Sequence, residues 1–129
     1  MTDHWAIEYL GAPWVSGASG PESYDCWGLV RAVYRDRFGI KLPIVEVKEK
    51  IPSAVRHDWR ETKTPEDGDG VIMSTGTSPH HVGLFVVTPD GNYVLHSVEG
   101  AGVVLQSMSA LKIHSWNICG YYTRIGTQR

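Results

Sequence analysis

The strongest periodic signal lies between residues 26 and 38, where Leu29, Val30, Val33, Tyr34 and Phe38 recur at steps of three and four. That spacing puts them on one face of a helix, with Arg31, Arg35, Asp36 and Arg37 mainly on the opposite face. Asp25 is a good N-cap for this helix, although Gly28 at the third helical position rules out a capping box. Gly39 and then Pro43 signal its end. A shorter helix is expected over Asp3 to Leu10, with Gly11 ending it. Residues 11–21 are punctuated by glycine and proline and read as a loop.

Beyond residue 64 the pattern changes to strands. Pro65 to Gly70 is a turn, and Val71-Ile72-Met73 is a short buried strand. Further strands are expected over His80 to Val87, Asn92 to Val98, Ala101 to Gln106 and Trp116 to Ile125, with a short helix over Ser109 to Ile113. Thr88-Pro89-Asp90-Gly91 places proline and glycine as a type I turn with a bulge requires. Between Ile44 and Thr64 the signal is weak: a strand over 44–47 and a short helix over Pro52 to Arg60 both fit it. Helices first and strands afterwards predict an α+β fold with an antiparallel sheet of about five strands.

Composition narrows the function classes. A chain of 129 residues is the size of one domain, here taken as 1–129. Its net charge of −2 comes with no basic stripe, which argues against nucleic acid as a partner. No apolar run reaches membrane-spanning length, so no membrane insertion is expected. Met1-Thr2-Asp3-His4 lacks the basic start of a secretory signal, so a cytoplasmic, reducing location with Cys26 and Cys119 as free thiols is expected.

The candidate chemistry begins at Cys26. A thiol in the first turn of a helix meets unpaired N–H groups and a partial positive charge, and a nearby imidazolium favours the thiolate further. Such a nucleophile needs a base within hydrogen-bond reach and a group to orient that base, the arrangement used in acyl transfer. His81 opens a predicted strand, and His96 lies on the next one. If the hairpin closes without a shift, the two are diagonal neighbours on one face, about 7–8 Å apart at Cα. A bulge at Gly91 would turn one of them to the other face. His80 competes with His81, but only one of two adjacent strand residues can face the thiol, and His81 directly precedes Val82-Gly83.

In this reading Cys26 attacks a carbonyl, His81 moves the proton and His96 orients His81, while the backbone N–H of Cys26 with a group from the Trp14 loop holds the oxyanion. Zinc binding by Cys26, His80, His81 and His96 is disfavoured because adjacent strand histidines do not converge on one ion. No metal or other cofactor is expected. Cys119 is expected as a small buried apolar residue, and His4, His57 and His114 as surface residues.

Taken together, Asp25-Cys26-x-Gly28-Leu29-Val30, then His81-Val82-Gly83-Leu84, then a polar residue one strand later, resemble the NlpC-like cysteine peptidases of the papain-like superfamily. Gly11-Ala12-Pro13-Trp14-Val15-Ser16-Gly17-Ala18 is similar to that family's Gly-x-Pro-Tyr-x-x-Gly-Gly loop. Pro65 to Met73 is similar to its Pro-x-x-Gly-Asp turn, with an extra Gly70. The likeness runs in order along nearly the whole chain.

It implies a papain-like fold with the nucleophile helix packed on the sheet, and a cysteine endopeptidase or amidase acting on the peptide stems of peptidoglycan. It also implies Cys26, His81 and His96 as catalytic residues. Trp14, Asp25 and Trp27 are implied as substrate-binding residues, two of them departures: Trp14 replaces a tyrosine and Trp27 a serine, positions that help hold the stem's free amine. The Asp-Cys-Trp-Gly-Leu version is most similar to the variety encoded with phage tail-tip proteins, which implies other tail proteins as partners and the virion tail as a destination. A structural tail-assembly protein with a vestigial site, or a thiol transamidase or deamidase on the same scaffold, are the competing readings.

Overall fold

The structure is a computed structural model that describes residues 4–45, 58–76 and 78–126. Its centre is one antiparallel sheet of six strands, one more than expected. In chain order these are β1 (Trp59–Thr62), β2 (Gly70–Ser74), β3 (His81–Thr88), β4 (Gly91–Val98), β5 (Gly102–Ser107) and β6 (Asn117–Arg124). Their order across the sheet is β1-β6-β2-β3-β4-β5. The added strand is β1, whose Trp59 and Arg60 pair with Arg124 and Thr123 of β6. Those two residues were expected to end a helix beginning at Pro52. Residues 52–57 of that helix, and the second half of the strand expected over 44–47, lie outside the described residues; Asp58 is helical, and Ile44 and Val45 are not in a strand.

Helix α1 spans Cys26–Phe38, and both its ends are set by single residues. The Asp25 carboxylate accepts the Gly28 N–H at 2.6 Å, and Gly39 takes the left-handed conformation at φ +66° that ends a helix. Leu29, Val30, Ala32, Val33 and Tyr34 are buried against the sheet, while Arg35, Asp36 and Arg37 face solvent. The phenol of Tyr34 donates to the Gly68 carbonyl at 2.6 Å and fastens the middle of α1 to the turn before β2. Ahead of α1, Trp5–Tyr9 form a short 3-10 helix. His4 is not a free surface residue: its Nδ1 accepts the Ala6 N–H, and its Nε2 lies 2.8 Å from Asp67 Oδ1.

Alternation along the strands gives the sheet two buried faces. Ile72, Val82, Leu84, Val86, Leu95 and Val103 pack with α1 in the larger core. Val71, Met73, Phe85 and Val94 form a second cluster on the opposite face, closed by Leu111 of α2 (Met108–Ile113). The β3–β4 hairpin closes without the one-residue shift that would have separated the histidines. Thr88 pairs with Gly91, and the register runs unbroken to Leu84 opposite Leu95.

Strand β6 carries a bulge. Ile72 pairs with Gly120 but Met73 with Ile118, so Cys119 is the extra residue. Cys119 is therefore exposed on the bulge, not buried in the core as expected. By adding one residue, the bulge also brings Ile118 onto the same face as Tyr121, in the cluster that contains Trp116.

Candidate active site

The N-terminus of α1 docks at one particular end of the sheet. The Ser97 hydroxyl, near the end of β4, donates to the Tyr24 carbonyl at 2.7 Å, two residues before Cys26. Because β3 and β4 are antiparallel, the end of β4 lies beside the start of β3, where His81 stands. The helix start and both histidines thus meet at the same end of the sheet. Cys26 is 2% exposed and belongs to the core that includes Val82.

The loop over this end is built from backbone hydrogen bonds. Gly11 N–H donates to Val103 and Val103 N–H to Ala12, which zips the loop to β5. Tyr24 N–H then donates to Pro13, and Val15 N–H to Tyr24, so half-buried Trp14 lies between two bonds to the residue before Asp25. The Asp25 carboxylate serves loop and helix together: one oxygen accepts from Gly28 and the other from Gly17 at 2.7 Å. A Cβ on Gly28 would lie 1.8 Å from the Ala18 carbonyl oxygen, so only glycine allows the loop this close to the helix.

The two imidazoles are in direct contact. His81 Nε2 and His96 Nδ1 are 2.9 Å apart, and His96 Nε2 is 2.7 Å from Gln106 Oε1. Continuing the hairpin register sets Gly83 across from His96, and this position has to be bare. A Cβ there would lie 2.9 Å from the Leu95 carbonyl oxygen and 3.0 Å from His96 Cβ. His96 is wholly buried, and burial pushes its pKa down to about 4, with the Gln106 hydrogen bond opposing the shift. At neutral pH it is therefore an uncharged group that orients its neighbour. His80, the competitor in sequence, turns its Nδ1 to the Ser78 carbonyl at 3.1 Å.

Two contributors to this cluster were not anticipated from sequence. Gln106 is one. The other is Trp116, whose indole stacks on His81 with centroids 4.4 Å apart and planes at 27°, and meets His96 edge-on at 5.4 Å. Trp27, expected beside the substrate, sits instead in the core at 3% exposure, with its indole N–H donated to the Pro43 carbonyl at 2.7 Å. One step along a helix is a turn of about 100°, so following Cys26 in sequence does not bring a side chain to the same surface. Among the described residues, no three His, Cys, Asp or Glu side chains converge as a metal site would require.

The arrangement has what thiol acyl transfer needs: a cysteine at a helix start, a histidine at the same sheet end, and a second imidazole and an amide holding that histidine in place. Comparisons with known proteins agree. The sequence profile of the NlpC/P60 family matches residues 11–119. Over 111 residues, 84% of this chain, it is 29% identical to the murein DD-endopeptidase MepS/murein LD-carboxypeptidase of Escherichia coli K12. Over 105 residues, 79% of the chain, it is 32% identical to a probable endopeptidase of Haemophilus influenzae. These alignments cover 54% and 60% of the two relatives, so the chain spans little more than half their length.

Among solved structures, the NlpC/p60 domain of the peptidoglycan hydrolase SagA superposes with a TM-score of 0.64 at 18% identity, covering 93% of this chain and 92% of that one. NlpC1 from Trichomonas vaginalis superposes at 0.63 and 21%, covering 92% of this chain and 42% of its own. The helix-plus-sheet architecture is that of these domains, and the chain belongs to the NlpC/P60 family.

Proposed function

We propose that this protein is a cysteine endopeptidase or amidase that hydrolyses amide bonds in the peptide stems of bacterial peptidoglycan. The observation that carries the reading is the hydrogen-bonded chain His81–His96–Gln106, set at the sheet end where the helix bearing Cys26 begins. The murein-directed name of the Escherichia coli relative supplies the substrate class.

The reaction follows from the groups present. The Cys26 thiol gives its proton to His81, and the sulfur attacks the scissile carbonyl carbon. The carbonyl oxygen takes up the negative charge near the Cys26 N–H at the start of α1. As the tetrahedral species collapses, the C–N bond breaks, His81 returns the proton to the departing amine, and a thioester remains on Cys26. Water then attacks the thioester with His81 as base, releasing the acid and restoring the thiol. His96 keeps His81 oriented throughout. Trp14 and Asp25, next to the helix start, would line the side that receives the stem's free amine.

The Asp25-Cys26-Trp27-Gly28-Leu29 version supports placing the chain with the phage tail variety, with tail proteins as partners and the virion tail as its destination. The decisive experiment is digestion of defined muropeptides with purified protein. New free amines, lost in Cys26→Ala and in His81→Ala, are expected. Glutamine deamidation or acyl transfer without stem cleavage would redirect the chemistry. Stable binding to tail proteins with no turnover would make the role structural.

A further inference from the structure

The histidine pair can relay orientation only if each ring carries its proton on the correct nitrogen, and the structure contains a group that decides this. His96 uses both ring nitrogens: Nδ1 faces His81 Nε2 at 2.9 Å and Nε2 faces Gln106 Oε1 at 2.7 Å. With Oε1 turned to the ring the amide only accepts, so His96 Nε2 holds a proton; turned over, the amide would donate and reverse the assignment. Burial keeps His96 neutral, and a neutral imidazole has only one, so its Nδ1 is a lone pair. That lone pair accepts the Nε2–H of His81. His81 in turn keeps its own lone pair on Nδ1, the nitrogen a base needs in order to take a proton from sulfur.

We propose that Gln106 is a positioning residue that fixes the tautomers of both histidines, selecting the form of His81 able to act as base. The inference rests on the reading of Cys26 and His81 as nucleophile and base. Its geometry comes from the sheet register: Gln106 pairs with Val94 while His96 pairs with Val104, so Gln106 is the diagonal neighbour of His96 on the same face. The opposite assignment, with the proton on His96 Nδ1, would make His81 Nε2 the acceptor and place the His81 proton on Nδ1, where it blocks uptake. When the thiol proton arrives at His81 Nδ1, the Nε2–H bond to His96 stays as it was. Nothing need move on His96 or Gln106, and the positive charge remains on the ring that serves the sulfur. A neutral amide suits this role better than a carboxylate, which would draw a second proton onto buried His96.

The test combines a tautomer measurement with an ordered variant series in the full chain. Long-range proton–nitrogen NMR of imidazole-labelled protein at neutral pH is expected to show both His96 and His81 protonated at Nε2. Gln106→Leu, similar in bulk but without an acceptor, should lower kcat about tenfold while KM for a muropeptide stays within about twofold. Gln106→Glu keeps an acceptor oxygen, and at pH 8, where the second proton its carboxylate draws onto His96 is given up, it should recover activity above the leucine variant. A role in packing alone predicts the reverse order, because leucine fills the space without burying a charge. The proposal is overturned if His96 carries its proton on Nδ1 in the parent protein, or if Gln106→Leu equals or exceeds Gln106→Glu. Should Gln106→Leu fail to fold, the parent NMR spectrum decides alone. If instead Cys26→Ala retains full turnover, the nucleophile assignment fails, whereas the tautomers read by NMR do not depend on it.

Discussion

Trp116 lies flat against His81, its ring centroid 4.4 Å from the imidazole and the planes inclined by 27°. The contact depends on an irregularity 35–40 residues further along the chain from the histidine: the bulge at Cys119 sets which face of the sheet the first part of β6 presents. The hydrogen bond to His96 fixes one edge of the His81 ring, and the indole fixes one face, which leaves the ring little freedom to turn.

Removing the indole should therefore loosen the base more than it weakens the fold. A stacked aromatic pair is worth about 1 kcal/mol beyond the area it buries. Trp116→Leu is expected to lose about tenfold in kcat/KM on muropeptides, with Tm lowered by only a few degrees. Trp116→Phe should keep most of the activity. Parent-like turnover by the leucine variant would show that the stack does not position His81.

Gly83 offers a test of the histidine approach itself. Adding a methyl at this position meets Val94 Cγ1 at 2.8 Å, the Leu95 carbonyl oxygen at 2.9 Å and His96 Cβ at 3.0 Å. One of these is backbone and cannot rotate away. Gly83→Ala should cost about 1–3 kcal/mol in urea unfolding and reduce turnover as well, because the strand must shift relative to His96. Gly76→Ala is the control: nothing lies within 4 Å of a Cβ there, so stability should change by no more than about 0.5 kcal/mol. Equal effects at the two positions would sink the argument.

Much of this site was legible in the sequence because its parts obey local rules. Asp25 caps α1 and Gly39 ends it because side-chain oxygens and left-handed glycines act within a turn of where they stand. The pairing of His81 with His96 followed from counting residues through a two-residue hairpin, and the count held because the turn introduced no slip. What escaped depends on contacts between distant segments. Trp59–Thr62 is a strand only because β6 lies beside it; its own Trp-Arg-Glu-Thr pattern is too short to show a period. Trp116 and Gln106 reach the histidines through a bulge and through the register of β5, and neither carries a motif. Trp27 follows the cysteine in the chain, yet the helix turns its indole into the core, a placement set by the packing of distant segments.

Asp25 joins two tasks that substitutions can separate. Its oxygens accept from Gly28 at 2.6 Å and Gly17 at 2.7 Å, tying the helix start to the loop above it. Asp25→Ala removes both bonds and should cost about 1–2 kcal/mol. Asp25→Asn keeps an acceptor for the helix cap but has no charge. If the carboxylate also holds the stem's amine, Asp25→Asn should raise KM for stems with a free amine while kcat stays within about twofold. An unchanged KM would confine Asp25 to capping and loop attachment.

Acid should destabilise the protein through His96 in a way that can be isolated. In the unfolded chain this histidine titrates near 6.5, and in the folded protein at about 4. Between those values the unfolded chain binds a proton that the folded one refuses, so stability rises with pH across this window. The contribution is fully present above pH 6.5 and is lost as pH falls towards 4. A gap of this size corresponds to about 3 kcal/mol. Urea unfolding at intervals from pH 4 to 7.5 should show that loss in the parent, and a slope flatter by roughly the same amount in His96→Asn. Parallel slopes would mean that His96 is protonated equally in both states, contrary to its burial. Catalysis should lose this orienting group only as pH falls to about 4, where folded His96 itself takes up a proton: a proton on His96 Nδ1 displaces the lone pair that accepts from His81 and turns the orienting group into a competing donor.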